Sequence, residues 1–408
     1  VSFKKLDFSR LFKPYLWKMP QPKLNYFRSF EMDNIPFHRH VGSVYGYSRK
    51  KNKWSDDHVM EELLEKQGID TSVLKRDYCL VPPDDRLTYY DIAKYFKNEP
   101  DPGHFLTDDW QQAQEWYYQY HLPLHTNPQV LSFDEVVSLM QNDKSATVFL
   151  NQKYKNKGEL FRDPEFRMSY YQFIADVLRG EVDPVFLAHL KCEIRPRSKV
   201  YEQKKARAFI IAAIYHLMLD HQLNLDFDME WMEHWFEGNH GLGFSLFNGQ
   251  YHHKFSKMFH HPGEKEAFYD VGKWDKLLRK FLQLKEIDVV SRFYPQFEPI
   301  TKFIPAELCS KFGFDVNHKV NTHWLRRWLV ETSASSYIVL PRGEIVIKDD
   351  GQNSGNGRTS PGNTGCHKLG EFNAAIKYGY KTYRQYVKEN YSDHTGDDEM
   401  FKGKREFF

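Results

Sequence analysis

Ala267-Phe-Tyr-Asp270-Val-Gly-Lys-Trp-Asp275-Lys-Leu-Leu-Arg-Lys-Phe-Leu282 is the stretch on which the fold turns. A short apolar run ends on an aspartate, a glycine-bearing turn follows, and the residues from Trp274 onward have helical spacing. A strand that delivers Asp270 at its C-terminal end, then a turn and a helix, sets Asp270 in a cleft with Asp275 about one helical turn away. Each aspartate also has a plain structural reading, Asp270 as the end of a strand and Asp275 as a helix cap.

Two further signatures follow in order. Ser354-Gly-Asn-Gly-Arg-Thr359-Ser-Pro-Gly-Asn363 places a hydroxyl and an amide four residues apart, on one face of a helix that starts near Thr359, with Pro361 in its first turn. Ser354 and Gly355 would form the loop before that helix, where short donors and acceptors can meet a sugar 2′-hydroxyl. The same composition also suits a surface linker, and no Gly-Lys-Ser/Thr follows the glycines, so the stretch is not a Walker A loop. Gly396-Asp397-Asp398 puts adjacent carboxylates at a tight turn between strands. Its flank, Tyr391-Ser-Asp-His-Thr395, is mostly polar, which equally suits an acidic surface turn. Carboxylates supplied from distant segments are how a protein builds a cage for two magnesium ions.

Upstream lies a basic stretch, Lys191-Cys-Glu193-Ile-Arg195-Pro-Arg197-Ser-Lys199-Val-Tyr-Glu-Gln-Lys204-Lys205-Ala-Arg207. In extended backbone its side chains alternate, so part of the set can face one groove and hold phosphates. A solvated basic face is the alternative.

The chain has 408 residues, 41% of them hydrophobic and 16% aromatic, which predicts a folded protein of two or three subdomains. A formal net charge of +2 announces no nucleic-acid partner by itself, so any such signal is local. Cys79, Cys192, Cys309 and Cys366 show no C-x-x-C spacing and read as free thiols. The apolar run Ala208 to Leu219 is too short for a membrane span and reads as a helix around Ile210 to Leu219. Helical spacing also marks Asp56 to Gln67, Tyr89 to Phe96, Trp110 to Tyr118 and Asp163 to Gly180, with an aromatic helix or turn over Asp226 to Trp235. His252, His253, His260 and His261, even with His240 or Cys309, lack zinc-ligand spacing and read as surface residues. Residue 1 is a valine, as at a processed N-terminus.

Together these motifs resemble the RNA-dependent RNA polymerases of RNA viruses, whose motifs run F, A, B, C along the chain. Lys191-x-Glu193-x-Arg195 with Lys205-Ala206-Arg207 looks like motif F, with Ala206 where Thr is common. Asp270-x4-Asp275 is similar to motif A, Ser354-Gly-x3-Thr359-x3-Asn363 to motif B, and Gly396-Asp397-Asp398 to motif C. Leu340-Pro-Arg-Gly-Glu before Gly351-Gln-Asn-Ser-Gly is similar to positive-strand viruses of the astrovirus-like and picornavirus-like groups.

The resemblance implies an α+β right-hand polymerase, its palm an antiparallel sheet backed by helices. It implies an N-terminal extension with fingers contacts over 1–160, fingers with motif F over 161–262, and palm over 263–408, with motifs D and E and the thumb missing after motif C. Nothing before about residue 160 carries a specific motif. Asp270, Asp397 and Asp398 would hold two Mg²⁺ ions, with Mn²⁺ able to substitute. Asp275, hydrogen-bonded to Asn363, would read the ribose 2′-hydroxyl, with Ser354, Gly355 and Thr359 setting sugar and template. Lys191, Arg195, Lys205 and Arg207 would grip the triphosphate. The implied partners are an RNA template and primer, ribonucleoside triphosphates and other viral replication proteins. The implied place of action is the host cytoplasm at membrane-associated replication complexes, and the implied origin is a viral polyprotein. Two rivals stay open: a reverse transcriptase, which lacks the Ser-Gly-x3-Thr-x3-Asn pattern, and a non-catalytic RNA-binding or replication-scaffold protein.

Overall fold

The structure, a computed structural model, describes residues 24–25, 32, 35, 39–44, 58–96, 109–146, 150, 153–245, 249–259, 265–270, 274–396 and 398–403. Two sheets position the site. The larger runs in the order β1 (Leu24–Asn25), β2 (Arg39–Val44), β11 (Glu344–Ile347), β10 (Tyr337–Val339), β4 (Val185–Leu190), β6 (Ala208–Ile211). All its pairings are antiparallel except β10 with β4. The smaller sheet is antiparallel in the order β12 (Tyr391–Thr395), β13 (Asp398–Gly403), β7 (Lys265–Asp270). Two-stranded ribbons join β3 (Tyr78–Leu80) to β5 (Ile194–Pro196) and β8 (Phe297–Pro299) to β9 (Lys319–Asn321).

The helices that carry the argument are α1 (Asp85–Ile92), α2 (Asp109–His121), α3 (Pro164–Leu178), α4 (Ile214–Glu233), α5 (Gln250–Phe259), α6 (Lys280–Ser291), α7 (Thr322–Ala334), α8 (Thr359–Tyr378) and α9 (Tyr383–Glu389). Local signals explain several boundaries. Asp163 caps α3 by accepting from Glu165 N, Pro164 opens its first turn, and Gly180 follows at φ 67°. Asn321 caps α7 through Trp324 N and Thr382 caps α9 through Gln385 N.

The aromatic stripes predicted from spacing are core. Trp110, Trp116, Tyr117 and Tyr120 of α2 are all buried, with Trp116 edge-on to Phe372 of α8 and stacked on Tyr386 of α9. Trp231 is fully buried and its indole N–H donates to Tyr120 Oη at 3.1 Å. Burial of such rings dominates the packing, since truncating a buried Phe or Trp costs about 3–5 kcal/mol. Helix α8 therefore rests on a rigid aromatic floor while its N-terminal half faces the small sheet.

Three local expectations change. Ala208 to Leu219 is not one helix: β6 takes Ala208–Ile211 and α4 starts at Ile214, because its first residues add a strand against β4. That helix runs on to Glu233, so the separate piece expected from Asp226 is its continuation. The basic stretch is not one extended run, since Ser198–Glu202 is a π-turn between β5 and β6. Among the described residues no helix is long and apolar enough to cross a membrane.

Candidate active site

Strand β7 ends on Asp270, as its sequence predicts, and pairs antiparallel with β13 so that Asp270 and Asp398 are direct cross-strand partners. Both residues are exposed. Strands β12 and β13 form the expected hairpin, with Thr395 opposite Asp398 and Gly396 at φ 67°, a left-handed conformation that favours glycine. Thr364, fully buried on α8, accepts the Gly396 N–H through Oγ1 at 2.9 Å. Asp397 lies outside the described residues.

The polar flank of this hairpin is buried from Tyr391 to His394, and Ser392, Asp393 and His394 each meet a partner. Lys368 Nζ donates to Ser392 Oγ at 2.9 Å, Lys254 pairs with Asp393 at 2.8 Å, and His394 Nε2 meets Glu371 Oε2 at 2.6 Å. Burial pushes the Glu371 carboxyl up, but Lys368, His394 and the Tyr386 hydroxyl outweigh it and hold the group well below the usual carboxylate range. A polar strand can thus stand where an apolar one would be expected, because α8 supplies its counter-groups.

The loop before α8 is fixed from below. Gly355 N–H donates to Ile210 O at 2.9 Å, and a Cβ at this position would sit 2.6 Å from that same carbonyl, so only glycine permits the approach to β6. Thr359 Oγ1 donates back to the loop at Asn353 O (3.1 Å) and Asn356 O (3.0 Å). Lys348, fully buried, donates to Gly351 O at 2.8 Å and Asn353 Oδ1 at 2.7 Å. Burial pushes its ammonium down to about 7.

Arg358, in the middle of the predicted loop motif, points inward. Its Nε bonds Asp228 at 3.0 Å, and its terminal nitrogens bond Glu286 at 3.0 and 3.1 Å. Asp220 Oδ2 also accepts the Arg358 backbone N–H at 3.2 Å. Two buried carboxylates thus bracket one guanidinium, with Asp220 on the backbone beside it. Burial pushes the Asp228 carboxyl up to about 7, partly offset by Arg358 and reinforced by Asp220 and Glu286.

A cleft of about 830 Å³ brings the separate signatures together. Lys191, Arg195, Lys205 and Arg207 line it together with Asp275, Ser354 and Asn363. Glu193 gathers the cations: Arg195 Nε lies at 2.6 Å, Lys191 Nζ at 3.8 Å and an Arg207 terminal nitrogen at 3.9 Å. Gly355 and Thr359 shape the wall without lining it.

Residues 88–370 match the sequence model of the viral RNA-dependent RNA polymerases. The chain belongs to that family. The match begins at residue 88, well before the first legible motif, and takes in α1 and α2. The fold is similar to that of a solved structure described as Sicinivirus 3Dpol RNA dependent RNA polymerase, with TM-score 0.61 and 12% identity, over 80% of this chain. This chain spans 65% of the length of that one. No curated protein sequence shows significant similarity to it.

Within this polymerase fold one expected contact differs. Asp275 does not bond Asn363; its carboxylate accepts from Tyr95 Oη at 3.1 Å and pairs with Lys276 at 3.1 Å. Lys276 follows Asp275 directly and Tyr95 is brought over it by α1, so both claim the carboxylate. Asn363 Oδ1 is left buried without a partner. Sequence reasoning missed Asp91, Lys94 and Tyr95, which reach the site from the N-terminal segment. Asp91 Oδ2 accepts the Ala208 N–H at 2.7 Å and lies 3.5 Å from Lys276 Nζ, so it ties β6 to motif A. Their only sequence signal is the aromatic spacing that identified α1. His252 is exposed on α5, as read from sequence, whereas His240 and Cys309 are buried; His260 and His261 lie outside the described residues.

Proposed function

We propose that this chain carries the fingers and palm of an enzyme that copies RNA, adding ribonucleoside triphosphates to the 3′-hydroxyl of a primer under the direction of an RNA template. The observation that carries the reading is the single cleft that the motif F cations line together with Asp275, Ser354 and Asn363. Family membership and the Asp270–Asp398 pairing support it.

Arg195, Lys191, Lys205 and Arg207 hold the triphosphate, with Glu193 drawing Lys191, Arg195 and Arg207 together. Asn363 offers its unpartnered Oδ1 to the ribose 2′-hydroxyl, and Asp275 joins it when the sugar displaces Tyr95 or Lys276. Asp270 and Asp398 on paired strands, with Asp397 next to Asp398 in sequence, are oxygen-only donors, which suits Mg²⁺ or Mn²⁺ over softer ions. Two such ions would activate the 3′-hydroxyl and neutralise charge on the departing pyrophosphate. Base pairing chooses the nucleotide, so the protein needs contacts to backbone and sugar alone.

The broader reading is genome replication by a positive-strand virus of the picornavirus-like or astrovirus-like kind, in the host cytoplasm at membrane-associated complexes with other viral proteins. Residues 1–160 act as an extension that reaches the fingers, 161–262 as fingers and 263–408 as palm.

Primer extension on an RNA template with Mg²⁺ tests the proposal, using the full-length polymerase. Asp270→Asn and Asp397→Ala should each abolish incorporation while RNA binding persists. Extension by either variant near the parental rate would overturn the metal assignment.

A further inference from the structure

Three side chains from three pieces of the palm converge away from the edge that carries Asp270 and Asp398. His367 comes from α8, His394 from β12 and Glu399 from β13, and one ligand atom of each lies within 4.8 Å of the others. Glu399 and His394 are cross-strand partners. Strand alternation turns Glu399 to the opposite face from its neighbour Asp398, toward α8. On α8, His367 and Glu371 are four residues apart and share the facing side.

We infer that His367, His394, Glu399 and Glu371 form a structural binding site for a divalent transition metal of the zinc class. The distances suit it. A tetrahedral zinc with bonds of about 2.0 Å sets its ligand atoms about 3.3 Å apart. His367 Nε2 lies 3.2 Å from Glu399 Oε2, and His394 Nε2 lies 3.7 Å from Glu399 Oε1. Glu371 stands beside this trio rather than in it, its Oε2 bonded to His394 Nε2 at 2.6 Å, and becomes the fourth ligand only when that bond opens.

The donors also suit it. Two imidazoles and two carboxylates select zinc-like ions over Mg²⁺, which prefers oxygen alone. His394 is fully buried, and the His367 and Glu399 side chains are only 12% and 11% exposed. Nε2 of each ring is the nitrogen that faces the carboxylates, so metal binding moves each ring's proton to Nδ1, which is buried with no hydrogen-bond partner. Lys368, 3.6 Å from Glu371, is the cation set against the two carboxylates, which leaves the cluster with net negative charge to offer. A metal here would bolt α8 to the hairpin behind the catalytic edge.

The test does not depend on polymerase activity. The full chain is dialysed against Zn²⁺ in excess Mg²⁺, its zinc content measured, and a parallel sample loaded with Co²⁺ for visible absorption. The expected result is one tightly held equivalent, an intense tetrahedral cobalt spectrum and a zinc-dependent rise in Tm. His367→Asn and Glu399→Gln should each weaken binding by more than about 100-fold, beyond the usual cost of losing an outer-sphere partner. Asp270→Asn should keep the zinc. Absence of zinc above the Mg²⁺ background, a weak octahedral cobalt spectrum, equal binding by His367→Asn, or loss of zinc in Asp270→Asn would each overturn the inference. If the histidine variant fails to fold, the cobalt spectrum of the parent decides.

Discussion

The Gly396 N–H is held by Thr364 Oγ1 at 2.9 Å, so the turn before Asp397 and Asp398 is fastened to the same helix that presents Asn363. The proposed metal edge and the proposed sugar reader therefore share one support. Thr364→Val keeps the shape and removes the acceptor. Loss of one hydrogen bond to a buried helix should cost about 1–2 kcal/mol of stability, with incorporation falling about tenfold and Thr364→Ser restoring it. Paired denaturation and primer-extension assays would reveal it; a Val variant with parental turnover would sever the link.

Arg358 is the cation on which Asp228 and Glu286 depend. Arg358→Met leaves Asp228 and Glu286 buried without it, which should destabilise the chain by about 3–5 kcal/mol. Urea denaturation would show this as a lower midpoint. A change under about 1 kcal/mol would mean the carboxylates are already neutral.

Lys348 makes stability depend on pH. Its folded pKa of about 7 lies below the ordinary 10.5, so between those values the unfolded chain holds a proton the folded one lacks. Stability then rises with pH across that window, by at most about 1.4 kcal/mol per pH unit from this group. The difference in unfolding free energy between parent and Lys348→Met should follow that slope and flatten below pH 7. A difference independent of pH would show the amine titrating normally.

Asn363→Ala removes the unpartnered amide oxygen from the cleft. Preference for ribonucleotides over deoxyribonucleotides should fall about tenfold, the equivalent of one net hydrogen bond. Single-nucleotide incorporation with each sugar measures it. Equal discrimination in variant and parent would move sugar recognition elsewhere.

Much of the site was legible because its groups obey local rules. Asp270 at a strand end, Gly396 in a hairpin turn and Thr359 at a helix start are each fixed by a few neighbouring residues. What escaped was carried by distant contacts. Tyr95 reaches Asp275 and Asp91 reaches Ala208 across pairings with no periodic signature in the chain. The hairpin looked too polar to be buried because Lys368 and Glu371, its counter-groups, sit on a helix read from sequence only for Thr359 and Asn363. The run at Ala208 read as helix because a short buried strand and the start of an apolar helix share one composition.

The pairing of Asp270 with Asp398 also sets an order of events. β7 has β13 as its neighbour in the small sheet, and everything from α6 to α9 is translated between them. Closing so long a loop is entropically costly and slow, so this contact forms after the helices that bring its ends together. The first aspartate is translated well before its partner. A nascent chain halted before β13 can already possess much of its helical core and yet lack the strand that sets Asp398 beside Asp270, so that pairing arrives only with β13.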